Sequence, residues 1–227
     1  MWKSLNMSIQ TKQMSPYDNV LYFPKNKDVR ICPKNGMTTL KRALVMFYGS
    51  EHMGHVTGNY NYRYRRVTKE SDSFSLPFRK NSIKIAIRRD PVDRFKSACE
   101  FIQKERSYFI RNGRPNDLPE LSLKIDEVIQ SIKDQTIRNN HFFTQTWYMG
   151  KKEDYDMIFH IDELPKLLAF LQETCELDEK KTLEGIHENK TTMKLYNEAL
   201  TQENIDQIKE LYAKDYKNGW CKQEDFI

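Results

Sequence analysis

Lys34 and Gly36, with Thr38 and Thr39 close behind, stand where a short apolar stretch, Val29-Arg30-Ile31-Cys32, gives way to a helical pattern. Residues of these types at a helix start can bind a phosphate-like anion. The first turn of a helix presents backbone N–H groups without intrahelical partners and the positive end of the macrodipole. Gly36 leaves room for close backbone approach, Thr38 or Thr39 can cap the helix while donating to an anion oxygen, and Lys34 adds a mobile positive charge. Taken alone, the segment also fits an ordinary strand-to-helix turn.

A second segment of the same build follows, Ile83-Lys84-Ile85-Ala86-Ile87-Arg88-Arg89 running into Asp90-Pro91. Asp90 is a good N-cap, and Pro91 suits the first helical position, where its missing N–H costs nothing. Val92, Phe95, Cys99 and Ile102 recur at helical spacing and are expected inward. Ser97 then falls on the opposite side, on one face with Arg94. Arg89, Arg94 and Ser97 are expected to be free to meet a second anion.

Together the two segments resemble the PAPS-dependent sulfotransferases, whose motifs are Pro-Lys-x-x-x-Thr and an Arg followed eight residues later by a Ser. Here these are Pro33-Lys34 with Thr38 and Thr39, and Arg89 with Ser97. The resemblance implies that Lys34, Asn35, Gly36, Met37, Thr38 and Thr39 hold the 5′-phosphosulfate of 3′-phosphoadenosine 5′-phosphosulfate (PAPS), and that Arg89 and Ser97 hold its 3′-phosphate. It runs from Val29 to Gly219 and is closest to the membrane-type carbohydrate enzymes. His141-Phe142-Phe143-Thr144-Gln145 is similar to their His-x-x-x-Gln segment, and Tyr155 to Leu164 to their late strand and following helix. Lys190-Thr191-Thr192-Met193-Lys194 looks like the Lys-Thr-Thr-x-Lys loop that closes over the nucleotide in uronyl 2-O-sulfotransferases.

The activity so implied is in-line transfer of a sulfuryl group to an acceptor hydroxyl, with PAP (adenosine 3′,5′-bisphosphate) as the product. Positioning and charge stabilisation do most of the work, by analogy with phosphoryl transfer. Lys34 is the natural partner for charge developing on the leaving phosphate oxygen. No metal is required, because a sulfuryl group carries one negative charge fewer than a phosphoryl group. A base must take the acceptor's proton. Gly54-His55-Val56-Thr57 is similar to the Gly-His-Val-Ser that contains the base of the uronyl enzymes, which puts His55 first. His141 and His52 follow, then Glu51, whereas His160, after an apolar strand, suits packing.

Tyr62, Arg63 and Arg65 lie in a run that mixes rings with arginines. Rings stack on sugar faces and guanidinium groups clamp carboxylates or sulfates, so an anionic glycan fits, with His141 as a further acceptor contact. The same mixture binds single-stranded nucleic acid, and a solvated basic loop shows it too. Two other classes share some features. A P-loop kinase needs Gly-Lys-Ser/Thr at the helix start, whereas Gly36 is followed by Met37. A nucleic-acid module without catalysis leaves Lys34, Arg89, Ser97 and Lys190 as coincidences.

The elements that must position these residues alternate along the chain. After the second strand and helix, Leu121 to Lys133 reads as a helix and Tyr155 to Ile161 as a strand. Asp162 is expected to cap a helix with Leu164, Leu167, Leu168 and Leu171 on one stripe, and Thr201 to Tyr216 to form the last helix. The expected fold is a single α/β domain, residues 29–227 after an N-terminal segment 1–28. Its mostly parallel central sheet is flanked by helices, in the P-loop-like PAPS-binding arrangement that the resemblance implies. Ligands in such sheets bind beyond the carboxyl ends of strands, where both anion segments lie.

A chain of 227 residues can bury one such core, and a net charge of +5 is too mild to argue for nucleic acid. The start of the chain lacks the apolar core of a signal peptide, and the longest nearly apolar run, Ala43 to Tyr48, is far short of a membrane span. A cytoplasmic protein of bacterial or viral origin is expected, without membrane partners. Cys32, Cys99, Cys175 and Cys221 show no CxxC pairing and read as reduced thiols rather than metal ligands.

Overall fold

Strand-forming residues with a tight turn between them open the ordered part of the chain. A computed structural model describes residues 20–48, 78–111, 124–137, 140–177, 182–186 and 200–221. Strand β1 (Val20–Phe23) turns through Lys25 and Asn26, both at positive φ (52° and 57°), into β2 (Lys27–Arg30). Helix α1 (Met37–Tyr48) follows, then β3 (Ile83–Arg88) and α2 (Pro91–Arg111). Next come α3 (Ile125–Lys133), a 3₁₀ turn at Asn140–Phe142 and the short α4 (Gln145–Met149). Strand β4 (Met157–His160) leads to α5 (Leu164–Thr174), and the described chain ends in α6 (Gln202–Leu211) and α7 (Ala213–Lys217).

The four strands form one sheet in the order β1-β2-β3-β4. β2 pairs parallel with β3, and β3 with β4, but β1 pairs antiparallel with β2. The sheet is therefore mixed, and its antiparallel edge is the hairpin strand Val20–Phe23, which sits inside the stretch expected to be an N-terminal segment. In the parallel part, Arg30 is level with Ala86 and Arg88 with His160. The chain segments that follow β2, β3 and β4 thus leave the sheet on the same side.

The period-two alternation of β3 divides the core. Ile85 and Ile87 face the helices α1 and α5, where the stripe Leu164, Leu167, Leu168 and Leu171 is buried as its spacing predicts. Ala86, between them, faces Tyr148, Met149, Trp220 and Cys221 on the other side of the sheet. A third cluster joins α2 to α3 and α6 through Phe95, Cys99, Ile102, Ile129 and Ile208. All four cysteines are buried free thiols, and burial holds Cys32 and Cys221 at about 12, so both stay protonated.

Two helices differ from expectation. α3 starts only at Ile125, and the expected terminal helix is split at Tyr212, whose φ and ψ of −103° and 20° leave the α region. Its start is as expected, because Thr201 and Asn204 form a reciprocal cap (3.1 and 3.2 Å). No helix among the described residues is long and apolar enough to cross a membrane.

The hairpin is tied to the start of β3 by one fully buried carboxylate. Asp28 accepts from the backbone N–H of Arg79 (2.6 Å) and from its Nε (2.7 Å), and the same guanidinium donates to Phe23 O (2.6 Å). Arg79→Ala strands that charge in the core and is expected to lower stability by about 3 kcal/mol. Urea unfolding should show the loss as a lower midpoint with an unchanged slope.

Candidate functional site

The loop between β2 and α1 is tightly wound. Asn35 N donates to Cys32 O (3.1 Å), and both Lys34 and Gly36 take positive φ (71° and 77°). That conformation is strained for a lysine, so neighbouring contacts must hold it. A side chain at Gly36 would also meet Ile161 Cδ1 at 3.1 Å and Leu164 Cδ2 at 3.2 Å. Glycine is thus required here by conformation and by packing against the start of α5. The side chain of Asn35 points into the protein, 1% exposed, with Nδ2 donating to Ile87 O (2.8 Å) and to Gln145 Oε1 (2.7 Å). Thr39 is likewise buried, so of the two threonines Thr38 is the more accessible.

The second loop comes down beside the first. Asp90 Oδ1 accepts from Asp93 N (3.0 Å), the N-cap its position predicts, and Pro91 opens α2. Arg89 reaches across to the other loop, where its Nη1 donates to Lys34 O (2.9 Å). Its Nε is buried with no hydrogen-bond partner, and no carboxylate lies within ion-pairing distance of it among the described residues. Burial pushes this guanidinium down from its ordinary value, but an arginine stays charged. A half-buried cation with an unused donor suits an anion site.

Arg94 overturns an expectation. It is fully buried and unavailable to a ligand, with Nη1 on His141 O (3.2 Å) and Cys32 Sγ (3.8 Å), Nη2 on Phe143 O, and Tyr212's ring centroid 5.0 Å away. Its helical position gave no sign of these partners, because they come from segments remote in sequence. Ser97, expected on the same open face, is buried at 9%.

The His-x-x-x-Gln segment lies directly behind both loops. His141 stacks on Phe101 (4.4 Å between centroids), and Lys34 Nζ lies 4.5 Å from the centroid of the same ring. Burial, then the charges of Lys34 and Arg94, push the His141 imidazole down to about 3. The ring is therefore neutral at pH 7. Gln145 is fully buried and bonds to both loops, a role its place in the motif did not reveal. Asp215, also fully buried, holds α4 in place by accepting from Gln145 N (2.9 Å) and Thr146 N (2.7 Å). Nothing in the sequence marked Asp215.

A cavity of about 520 Å³ opens beyond the carboxyl ends of β3 and β4, lined by Arg88, Asp90, Val92, Asp93, His160, Asp162 and Ile205. His160 caps the turn that follows β4, its Nδ1 3.4 Å from Asp162 N and its backbone N donating to Glu163 (2.9 Å). The remaining candidates, Glu51, His52, His55, Tyr62, Arg63, Arg65, Lys190, Thr191 and Thr192, lie outside the described residues.

His141 supplies a pH test. A histidine held below its unfolded value of 6.5 binds fewer protons folded than unfolded, so its contribution is present above that pH and fades as pH falls toward about 3. His141→Phe keeps the stacking and should flatten stability against pH in that window by up to about 1.4 kcal/mol per pH unit, as read from denaturant unfolding between pH 7 and 4.

Two cation-bearing loops on adjacent parallel strands, held from behind by one buried segment, form the site. A family model described as "Sulfotransferase family" matches residues 29–218, which takes in both loops and the segment behind them. No curated protein and no solved structure matches. On the extent of that match and on the elements it covers, the chain belongs to the sulfotransferase family.

Proposed function

We propose that this protein transfers the sulfuryl group of PAPS to an acceptor hydroxyl, in line and with a general base, and that the acceptor is a carbohydrate. The observation that carries the reading is the meeting of Lys34 and Arg89, joined at 2.9 Å through a backbone carbonyl and not through a carboxylate. The Arg89 guanidinium thus carries its positive charge into the first loop, with an Nε that has no hydrogen-bond partner, which suits a ligand that is anionic at two points. PAPS supplies a sulfuryl group already activated by its phosphate leaving group, and no metal is assigned to the step.

The chain's own residues divide the remaining work. Lys34 opposes charge developing on the leaving phosphate, beside the backbone amides of Asn35, Gly36 and Met37 and the Thr38 hydroxyl, with Thr39 behind them. Arg89, with its unused Nε, takes the 3′-phosphate together with Ser97. Lys190, Thr191 and Thr192 close over the nucleotide. His55 takes the acceptor's proton, while Tyr62, Arg63 and Arg65 hold an anionic sugar. His141 serves by packing Phe101 beside Lys34.

Calorimetry with PAP, against ATP plus magnesium and against an oligonucleotide, separates this reading from a kinase and from a nucleic-acid module. Preference for PAP is expected, and preference for ATP with the metal overturns the reading. Lys34→Ala is expected to reduce transfer from labelled PAPS by about 10²–10³-fold. Arg89→Ala should weaken PAP binding by about 10- to 100-fold, and unchanged affinity would place the 3′-phosphate elsewhere. His55→Ala should lower turnover with the donor still bound, whereas full activity would pass the base role to another residue.

A further inference from the structure

We infer that Gln145 is a positioning residue that fixes the separation of the two loops, so that they grip both ends of one nucleotide together. Its side-chain carbonyl Oε1 accepts from Asn35 Nδ2 (2.7 Å) in the first loop and from Arg89 N (2.9 Å) in the second. Its Nε2 donates to Arg89 O (2.9 Å) and lies 3.6 Å from Cys221 Sγ. Every side-chain hydrogen-bonding group of this fully buried amide is engaged. Arg89 Nη1 then closes a ring by donating to Lys34 O (2.9 Å), next to Asn35 in the chain.

The ring matters because of what a two-ended ligand requires. Once one phosphate is bound, the other meets its own loop at an effective concentration set by how firmly the loops are spaced. Asn35 spends its second donor on Ile87 O (2.8 Å), which ties the first loop to the end of β3 as well. Gln145 is itself anchored, since its backbone N–H is held by the buried Asp215 (2.9 Å). No side-chain group of Gln145 is left over for a ligand, so it acts through Asn35 and Arg89.

The proposal rests on the nucleotide reading above, and its test is chosen to fail separately. Full-length wild type, Gln145→Met and Gln145→Leu are titrated calorimetrically with adenosine 3′,5′-bisphosphate, adenosine 5′-phosphate and adenosine 3′-phosphate, with melting temperatures recorded alongside. Bisphosphate affinity is expected to fall about tenfold or more in both variants, while each monophosphate, which needs only one loop, changes by less than about threefold. Equal losses for all three ligands, or an unchanged bisphosphate affinity, would reduce Gln145 to a general structural role and overturn the proposal. If Gln145→Met does not fold, Gln145→Leu, which removes the same four hydrogen-bonding contacts with a differently shaped side chain, carries the same readout. A wild-type protein that ignores the bisphosphate takes down the nucleotide reading and this inference together.

Discussion

The two arginines at the site are held by backbone carbonyl groups, whereas Arg79, away from it, is held by the Asp28 carboxylate. Arg89 donates to Lys34 O, and Arg94 to the carbonyls of His141 and Phe143. A carboxylate partner would quench the charge it holds, whereas a carbonyl dipole steadies a guanidinium and leaves its net charge in place. The cost is desolvation and mutual repulsion among Lys34, Arg89 and Arg94. Many fixed dipoles meet that cost because the surrounding core is rigid.

Parallel pairing makes the arrangement possible. β2 and β3 run side by side in the same direction, so the segments that follow them emerge as neighbours at one edge. An antiparallel pair would send them to opposite edges. β4 extends the same logic, since Ile161 and Leu164, just beyond its end, pack where a side chain at Gly36 would sit. The first loop is therefore shaped from both flanks, by Arg89 and Gln145 on one side and by the start of α5 on the other. Behind it, Asp215 holds α4 through two backbone N–H groups, which links the last described helix to the site.

Local features of this design were legible in the sequence, and remote ones were not. The strand-to-helix turns at Lys34 and Arg89, the Asp90 cap with Pro91, the leucine stripe of α5 and the start of α6 at Thr201 all follow from patterns within a few residues. Arg94 shows where such reasoning stops. Its spacing put it on a face with Ser97, but its partners lie 47 and 49 positions away, and they decide that it is buried. Gln145 stood inside a recognised motif, yet its partner Asn35 is 110 positions off and Arg89 is 56. The antiparallel strand Val20–Phe23 had a local signal, apolar residues before Pro24-Lys25-Asn26, but a polar N-terminal stretch obscured it.

The same field that suits an anion constrains which group can move a proton. Burial first, and then the charges of Lys34 and Arg94, keep His141 neutral at pH 7. Neutrality lets a ring receive a proton, but the proton it receives must be stable there, and next to Lys34 it is not. For the proposed transfer, a base for the acceptor hydroxyl works better outside the immediate reach of these cations, or beside a group that offsets them. On the proposed reading, the loops that follow β2 and β3 bind the anion and the base comes from residues beyond them.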